Sequence, residues 1–428
     1  MATPASAPEL DGLTASDAAS VPGEPALRWS SRAHTIDEIE RELARIWSIP
    51  KLTADVGGVE ERHVAARTSV MNLVVVARRP EIGEHAAAVI QQLTGKHPSR
   101  TLILTSADPE GRSWLDAQIK AYCVLPRADA AETCAEQIFI TAGGAAGRHL
   151  EAIVAPLLIH DLPVTLWWPS EPPFSSAPAR DLLAMADRLV VDGSSWSGDG
   201  MHRLGELATA MDRTGLVVSD FALVRQSRWR EAIASVFDLP EFTPYLGSIK
   251  RVAVTYGTRD ETGAPGTTNV VKPVYHVAWL ASRLGMTVAR PLAPAEGGTA
   301  GSKAAARPST SRAGAKPPLH RGLGGLLRYG RGEVAVVVRP VGSQMPAGTT
   351  LRVEILAERR GSELRADVTA EAETVHVRVW LDGVEALDRA FLAARRTEVD
   401  LLAEAVEAGK IDRIARDAIR MAAQLVGV

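Results

Sequence analysis

The chain has 428 residues, 46% of them hydrophobic and 23% charged, with a formal net charge of −3. That length allows two or more domains with sizeable cores, and the near-neutral balance gives no reason to expect a nucleic-acid or membrane surface as the main partner, because both attractions need a concentrated positive field. The two cysteines, Cys123 and Cys134, exclude a disulfide framework and fit a reducing compartment; with no apolar run near the ~20 residues of a membrane helix and no basic, apolar leader, a cytoplasmic protein is expected.

Residues 1–30 are rich in Ala, Ser, Pro and acids without a hydrophobic period, which predicts a disordered tail. Thr35 and Glu38 have capping-box spacing, and Ile36, Ile39, Leu43 and Ile46 then predict one amphipathic helix that ends before Pro50. Met71–Ala77 and Thr101–Leu104, separated by the helix-like Glu81–Leu93, are runs of strand length suited to a parallel sheet covered on both faces. Ala117–Leu125 and Glu136–Thr141 read as two further strands. Gly147–His160 carries the helical stripe Leu150, Ile153, Val154, Leu157 and Leu158, and Pro156 predicts a kink or an early end. A turn at Asp161-Leu162-Pro163 then leads into a short strand ending in Trp167-Trp168, with Pro169, Pro172 and Pro173 beyond it.

The alternation continues with a helix around Arg180–Ala186, a strand Leu189–Val191 ending at Asp192, a helix around Met201–Asp212 and a strand Leu216–Val218. Asp220 caps a helix running through Phe237; the strand Ile249–Tyr256 follows, then a helix with Val270, Val274, Val277, Ala281 and Leu284 that stops at Gly285. Residues 31–290 are therefore expected to form an α/β domain with a mostly parallel, doubly wound sheet. Residues 291–320 have the composition of a linker, and seven Lys or Arg with no acid between Gly297 and Gly332 make it a basic tether. In 321–428 a period of two in Val334–Val338, Leu351/Val353/Ile355 and Val375/Val377/Val379 predicts a small antiparallel sheet. Helices Val399–Ala408 and Ile411–Leu425 would cover one face of it, giving a smaller α+β C-terminal domain.

Three groups of residues are candidate sites. Trp167 and Trp168 end a strand at a sheet rim, which suits a ligand or partner surface or, alternatively, core with a local lid. Arg225, Arg228, Trp229 and Arg230 fall within about a turn of one another on a helix, the composition of a binding hot spot; the alternative is a surface helix whose Trp packs inward while its Arg groups pair with Glu231 and nearby acids. Gly143, Gly144, Gly147 and Arg148 follow a strand and open a helix, so backbone amides there could hold a phosphate or carboxylate, or the glycines make a plain tight turn; the order is not G-x-G-x-x-G and no Lys-Ser/Thr follows. No His pair at i, i+4 flanks a Glu and no G-x-S-x-G occurs, so the sequence assigns no catalytic residue, metal or cofactor. Cys123 and Cys134 are either inert buried thiols or, if their Cα atoms lie within about 7 Å, a switchable disulfide.

Four stretches occur in a telling order: Leu157-Leu158-Ile159-His160-Asp161-Leu162-Pro163-Val164 running into Trp167-Trp168, then Asp187-Arg188-Leu189-Val190-Val191-Asp192, then Trp229-Arg230-Glu231 leading to Val236-Phe237-Asp238, and finally Ala278-Trp279-Leu280-Ala281-Ser282-Arg283-Leu284-Gly285. Together they resemble the OpcA family, glucose-6-phosphate dehydrogenase assembly proteins of cyanobacteria and actinobacteria, from roughly Arg67 to the C-terminus. The resemblance implies a non-catalytic allosteric activator whose partner is the dehydrogenase that opens the oxidative pentose phosphate pathway. The Trp167-Trp168 rim and the Arg225–Arg230 helix would then be its contact surfaces. Two departures stand out: nothing matches Cys123 and Cys134 to the cysteines associated with thioredoxin-linked control in cyanobacterial members, and Val274-Tyr275-His276-Val277 replaces a more leucine-rich run. The alternative is a sugar-phosphate-binding α/β enzyme or metabolite sensor using Gly143–Arg148 at the strand ends.

Overall fold

An uninterrupted apolar strand has no solvent face, so Met71–Ala77 can only sit inside a sheet covered on both sides, and in the computed structural model all seven of its residues are buried. The structure describes residues 23–48, 66–67, 69–125, 133–259, 268–295, 322–371, 373–409 and 412–428. The first compact unit runs to Val190 and also takes in Glu398–Glu407; the second comprises 191–397 and 408–428. This division differs from the expected one at 291–320.

The first unit contains β1 (Pro25–Ala33), α1 (Ile36–Ser48), β2 (Ala66–Arg67), β3 (Met71–Ala77), α2 (Pro80–Gln91), β4 (Ser99–Ala107), β5 (Trp114–Val124), β6 (Thr133–Gly143), α3 (Gly144–Arg148), α4 (Leu150–Leu157), β7 (Val164–Trp168), α5 (Ala177–Ala184) and β8 (Arg188–Val191). Its strands lie in the order β1-β5-β6-β4-β3-β7-β8, with β2 beside β6. The β3/β4, β3/β7 and β4/β6 pairs are parallel, while β5 runs antiparallel to both β6 and β1. The sheet is thus mixed. Residues 25–30 of the expected tail belong to the edge strand β1, whose mostly half-buried residues leave no hydrophobic period to read; residues 1–22 lie outside the described residues.

Of two local expectations, the capping box forms by half and the early end at Pro156 holds. Thr35 Oγ1 accepts the Glu38 amide at 3.2 Å, although the Glu38 carboxylate takes the amide of His34, at 2.7 Å, instead of completing the box at Thr35. Pro156 lies in the last turn of α4, which ends at Leu157, after which Leu158 is extended. The chain is then fastened by Asn72, fully buried on β3: its Nδ2 donates to Ile159 O and Leu162 O, and its Oδ1 accepts from Ile159 N at 2.8 Å. Arg100 adds a bond to Leu157 O at 2.9 Å and a buried ion pair with Glu136 at 2.6 Å.

Cys123 and Cys134 face each other in the β5/β6 register with their Cα atoms 4.0 Å apart, fully buried and joined as a disulfide. Closing so short a loop restricts the unfolded chain modestly. Reduction, or the double change Cys123→Ser/Cys134→Ser, is expected to lower stability by about 3 kcal/mol, read as a lower urea midpoint with and without reductant.

The second unit contains α6 (Met201–Thr214), β9 (Val217–Asp220), α7 (Phe221–Val224), α8 (Ser227–Phe237), β10 (Ile249–Thr258), α9 (Val271–Arg283), β11 (Thr287–Pro294), β12 (Leu323–Tyr329), β13 (Gly332–Gly342), β14 (Thr350–Arg359), β15 (Ser362–Ala370), β16 (Thr374–Leu381), β17 (Val384–Leu392) and, after α10 (Glu398–Glu407) of the first unit, α11 (Arg413–Leu425). Its eight-stranded sheet has the order β11-β12-β13-β10-β14-β15-β16-β17. β10, expected in the α/β domain, pairs in parallel with β13 and antiparallel with β14. The expected small C-terminal sheet is therefore half of a larger one. Pro291–Pro294 of the expected linker belong to β11; residues 296–321, which hold most of the basic tether, lie outside the described residues. The closing helices separate: α11 packs on α9 and α6, whereas α10 packs on α2, where Glu398 bonds His85, and Glu407 meets His97, beyond the end of α2, at 2.8 Å. Among the described residues no helix is long and apolar enough to cross a membrane.

Candidate functional site

Trp167 and Trp168 are only 1% and 5% exposed. Neighbouring residues on a strand face opposite sides of the sheet, and both sides are covered here, so one indole is buried on each; the exit segment also turns inward, burying Phe174. This corrects the reading of the pair as a contact rim.

The glycine segment also differs from a ligand cradle. α3 is a single turn, Gly144 N donates to Asp108 O at 3.0 Å, and Ala146 N donates to Ser113 Oγ at 3.2 Å. A Cβ on Gly143 would lie 2.1 Å from Trp114 Nε1, so this glycine seats an indole. Ser106 Oγ donates to Gly147 O, and Arg148 bonds Pro109 O. Two of the amides at this helix start, those of Gly144 and Ala146, are thus spent on protein oxygens.

The arginine segment leads to a polar cluster in the second unit. The helix expected from Asp220 to Phe237 breaks at Arg225-Gln226 into α7 and α8. Asp220 ends β9 with no exposed surface; its carboxylate accepts Gly193 N and Ala222 N at 2.8 Å and Tyr275 Oη at 2.7 Å. Burial and the nearby Asp192 charge raise its pKa to about 6, against the pull of those three donors. Tyr275, likewise buried beside it, is pushed well above the usual phenol value. Gly193 is required here, since a Cβ would stand 2.6 Å from Asp220 Oδ2. Asn269 closes the loop from the other side, donating to Gly193 O and Trp196 O and accepting Val271 N at the start of α9.

Asp192, just beyond β8, takes Arg225 Nη1 on both oxygens at 2.8 Å, and Ser194 Oγ bridges the pair, donating to Asp192 at 2.6 Å and accepting from Arg225 at 3.1 Å. Lys272 shares this field, its pKa lowered first by burial and then by Arg225. Gln226 Nε2 donates to Lys272 O at 2.7 Å. Further along the same helices, Trp229 packs on His276 with ring centroids 5.1 Å apart, and Arg230 donates to Leu223 O at 2.6 Å. His276 is 2% exposed with no hydrogen-bond partner on either nitrogen, and burial followed by the Arg230 charge depresses its pKa to about 3. Arg228 alone points outward, to the equally exposed Glu231 at 2.7 Å.

Of the predicted residues, then, Arg225, Trp229 and Arg230 are drawn into one cluster and Arg228 stays at the surface. Sequence reasoning placed Asp192 and Asp220 only as a strand end and a helix cap. The signal for more was the repetition of an acid at the end of two valine strands, Val190-Val191-Asp192 and Val217-Val218-Ser219-Asp220. Among the described residues no group of three or more His, Cys, Asp or Glu could hold a metal ion.

Comparison with known proteins fits the order of motifs. Residues 90–209 match the family model described as the glucose-6-phosphate dehydrogenase subunit N-terminal domain, and residues 216–419 match the one described as its C-terminal domain, both OpcA models. A Nostoc punctiforme protein bearing the name OxPP cycle protein OpcA is 28% identical over 47% of this chain and 43% of its own length. Its Synechocystis namesake is 26% identical over 47% and 40%. The chain thus spans less than half the length of these relatives. Among solved structures, the biliverdin reductase of Synechocystis aligns over 84% of this chain and 98% of its own at 9% identity and a TM-score of 0.41. Through two successive domain models that together take in most of its length, the chain belongs to the OpcA family.

Proposed function

We propose that this protein is a cytoplasmic, non-catalytic assembly factor and allosteric activator of glucose-6-phosphate dehydrogenase in the oxidative pentose phosphate pathway. The observation that carries the reading is the match to both dehydrogenase-subunit domain models, 90–209 and 216–419. An activator of this kind needs only to bind the active form of its partner more tightly than the inactive one; a tenfold preference is about 1.4 kcal/mol. With the tryptophans buried, the docking surface is better sought on β17. This strand ends the eight-stranded sheet and exposes Val384 and Leu392 by 71% and 74%, an edge that invites a partner unless it is covered.

The test mixes the purified chain with the dehydrogenase from the same cell, following NADPH formation and co-elution on gel filtration. Faster turnover and a shared peak are expected; an unchanged rate with separate peaks would sink the proposal. Val384→Glu/Leu392→Glu is expected to weaken association at least tenfold while shifting the chain's own stability by no more than about 0.5 kcal/mol, as surface changes usually do.

A further inference from the structure

Helices α8 and α9 pack on the eight-stranded sheet of the second unit, and strand residues of one parity, among them Val336, Val338, Val353, Ile355 and Val377, are no more than 2% exposed. The residues between them point to the opposite face. There Leu326 lies opposite Ala335, which is followed in the same row by Arg251 and Leu356, while Val337 sits one step along β13. These four apolar side chains are only half-buried, so the outer face of β12, β13 and β14 carries an apolar patch that the helices do not cover.

Beside the patch the same face holds acids that an outward position should leave in water. Glu354 and Asp367 stand opposite each other in the β14/β15 register, yet they are 7% and 8% exposed. Arginines lie over them. Arg352 Nη2 donates to Glu354 at 2.7 Å and to Asp367 at 2.6 Å, Arg251 donates to the other Glu354 oxygen, and the Arg365 guanidinium spreads over Trp380 at 4.1 Å from the ring centroid. One strand further, Arg378 pairs with Asp388 at 3.3 Å. Asp367 Oδ1 is buried without a hydrogen-bond partner, so the described residues do not close the network themselves. The result is a flat surface of fixed, interleaved charges, a form suited to meeting another flat surface.

We propose that this face is where two copies of the chain pair, sheet against sheet. A two-fold contact uses one patch twice and must therefore complement itself. With Arg251, Arg352, Arg365 and Arg378 set among Glu354, Asp367 and Asp388, neither sign dominates, and this chain supplies the matching surface itself. The extent also suffices: eight strands ~4.8 Å apart and ~20 Å long give roughly 750 Å² on each copy, and the total of about 1,500 Å² is that of a stable interface. The pairing leaves the β17 edge free, so it neither needs the activator reading nor competes with it.

The experiment is sedimentation velocity of the full chain, without the dehydrogenase, over a wide range of concentration. A concentration-dependent species of twice the chain mass is expected. Val337→Glu/Leu356→Glu, which sets buried like charges against each other across the two-fold, should weaken pairing at least tenfold, with the unfolding midpoint measured alongside. Arg378→Glu changes a single exposed side chain and should weaken pairing at least threefold; it decides the matter if the double variant fails to fold. Val384→Glu/Leu392→Glu, on the β17 edge, should pair as the parent does. A parent that stays monomeric at every concentration, undiminished pairing in either outer-face variant that folds, or loss of pairing in the β17 variant would each overturn the assignment.

Discussion

Trp167→Ala is expected to lower stability by about 3–5 kcal/mol, enough to unfold a marginal domain at physiological temperature. The indole is 1% exposed near the C-terminal end of β7, beside Val75 of β3 in the register. Truncation removes its burial and leaves a cavity that a close-packed sheet core fills only in part. Trp168→Ala, on the opposite face, should act the same way. The measurement is chemical unfolding of each variant beside Arg228→Ala, which should change little because its Glu231 pair is exposed. Variants of Trp167 and Trp168 that kept the parental midpoint would return the indoles to a surface role.

Acidification is expected to destabilise the protein through His276. Its pKa falls from 6.5 in the unfolded chain to about 3 in the fold, so the folded state binds fewer protons across that window; stability is full above 6.5 and is lost as pH falls through 3. The loss amounts to about 5 kcal/mol when the window has been crossed. Asp220 works in the opposite direction. Its pKa rises from 3.8 to about 6, so the fold gains about 3 kcal/mol as pH drops across that interval. The two contributions largely offset each other between pH 6 and 4, and below that His276 acts unopposed. His276→Leu should remove the acid limb: its stability relative to the parent should climb steadily from pH 6.5 downward. Parallel profiles for the two proteins would show that His276 accepts its proton without cost.

Much of the sheet architecture was legible because its cause is local. β3, β4 and β7 announce themselves as apolar runs, and α9 by the 4, 3, 4, 3 spacing from Val270 to Leu284. What stayed hidden depends on partners far along the chain. Nothing in Ile249–Tyr256 says that Arg251 will lie beside Ala335, or that β10 will bridge two halves of one sheet. β15 was missed because Glu363, Arg365 and Asp367 alternate with Leu364, Ala366 and Val368, and the charged half masks the apolar one. The tryptophans were misplaced for a related reason, since composition shows that an indole is large and apolar but not how many layers cover it. The cluster around Arg225 was half visible: its acids stand at recognisable strand ends, while Tyr275 looks like any apolar position on a buried helix until its hydroxyl is seen meeting Asp220.

Helix α10 bears on how the protein is made. It completes the first unit by packing on α2, yet it is encoded more than three hundred residues after that helix, with His85 meeting Glu398 and His97 meeting Glu407. A ribosome that has released the whole α/β core has still not delivered its last piece, so the N-terminal unit must wait, partly uncovered, until the chain is almost finished. A fragment ending near residue 290, the boundary that composition alone suggests, would keep α2 and lose its cover, and should be short-lived in the cell even though every strand of the first sheet is present.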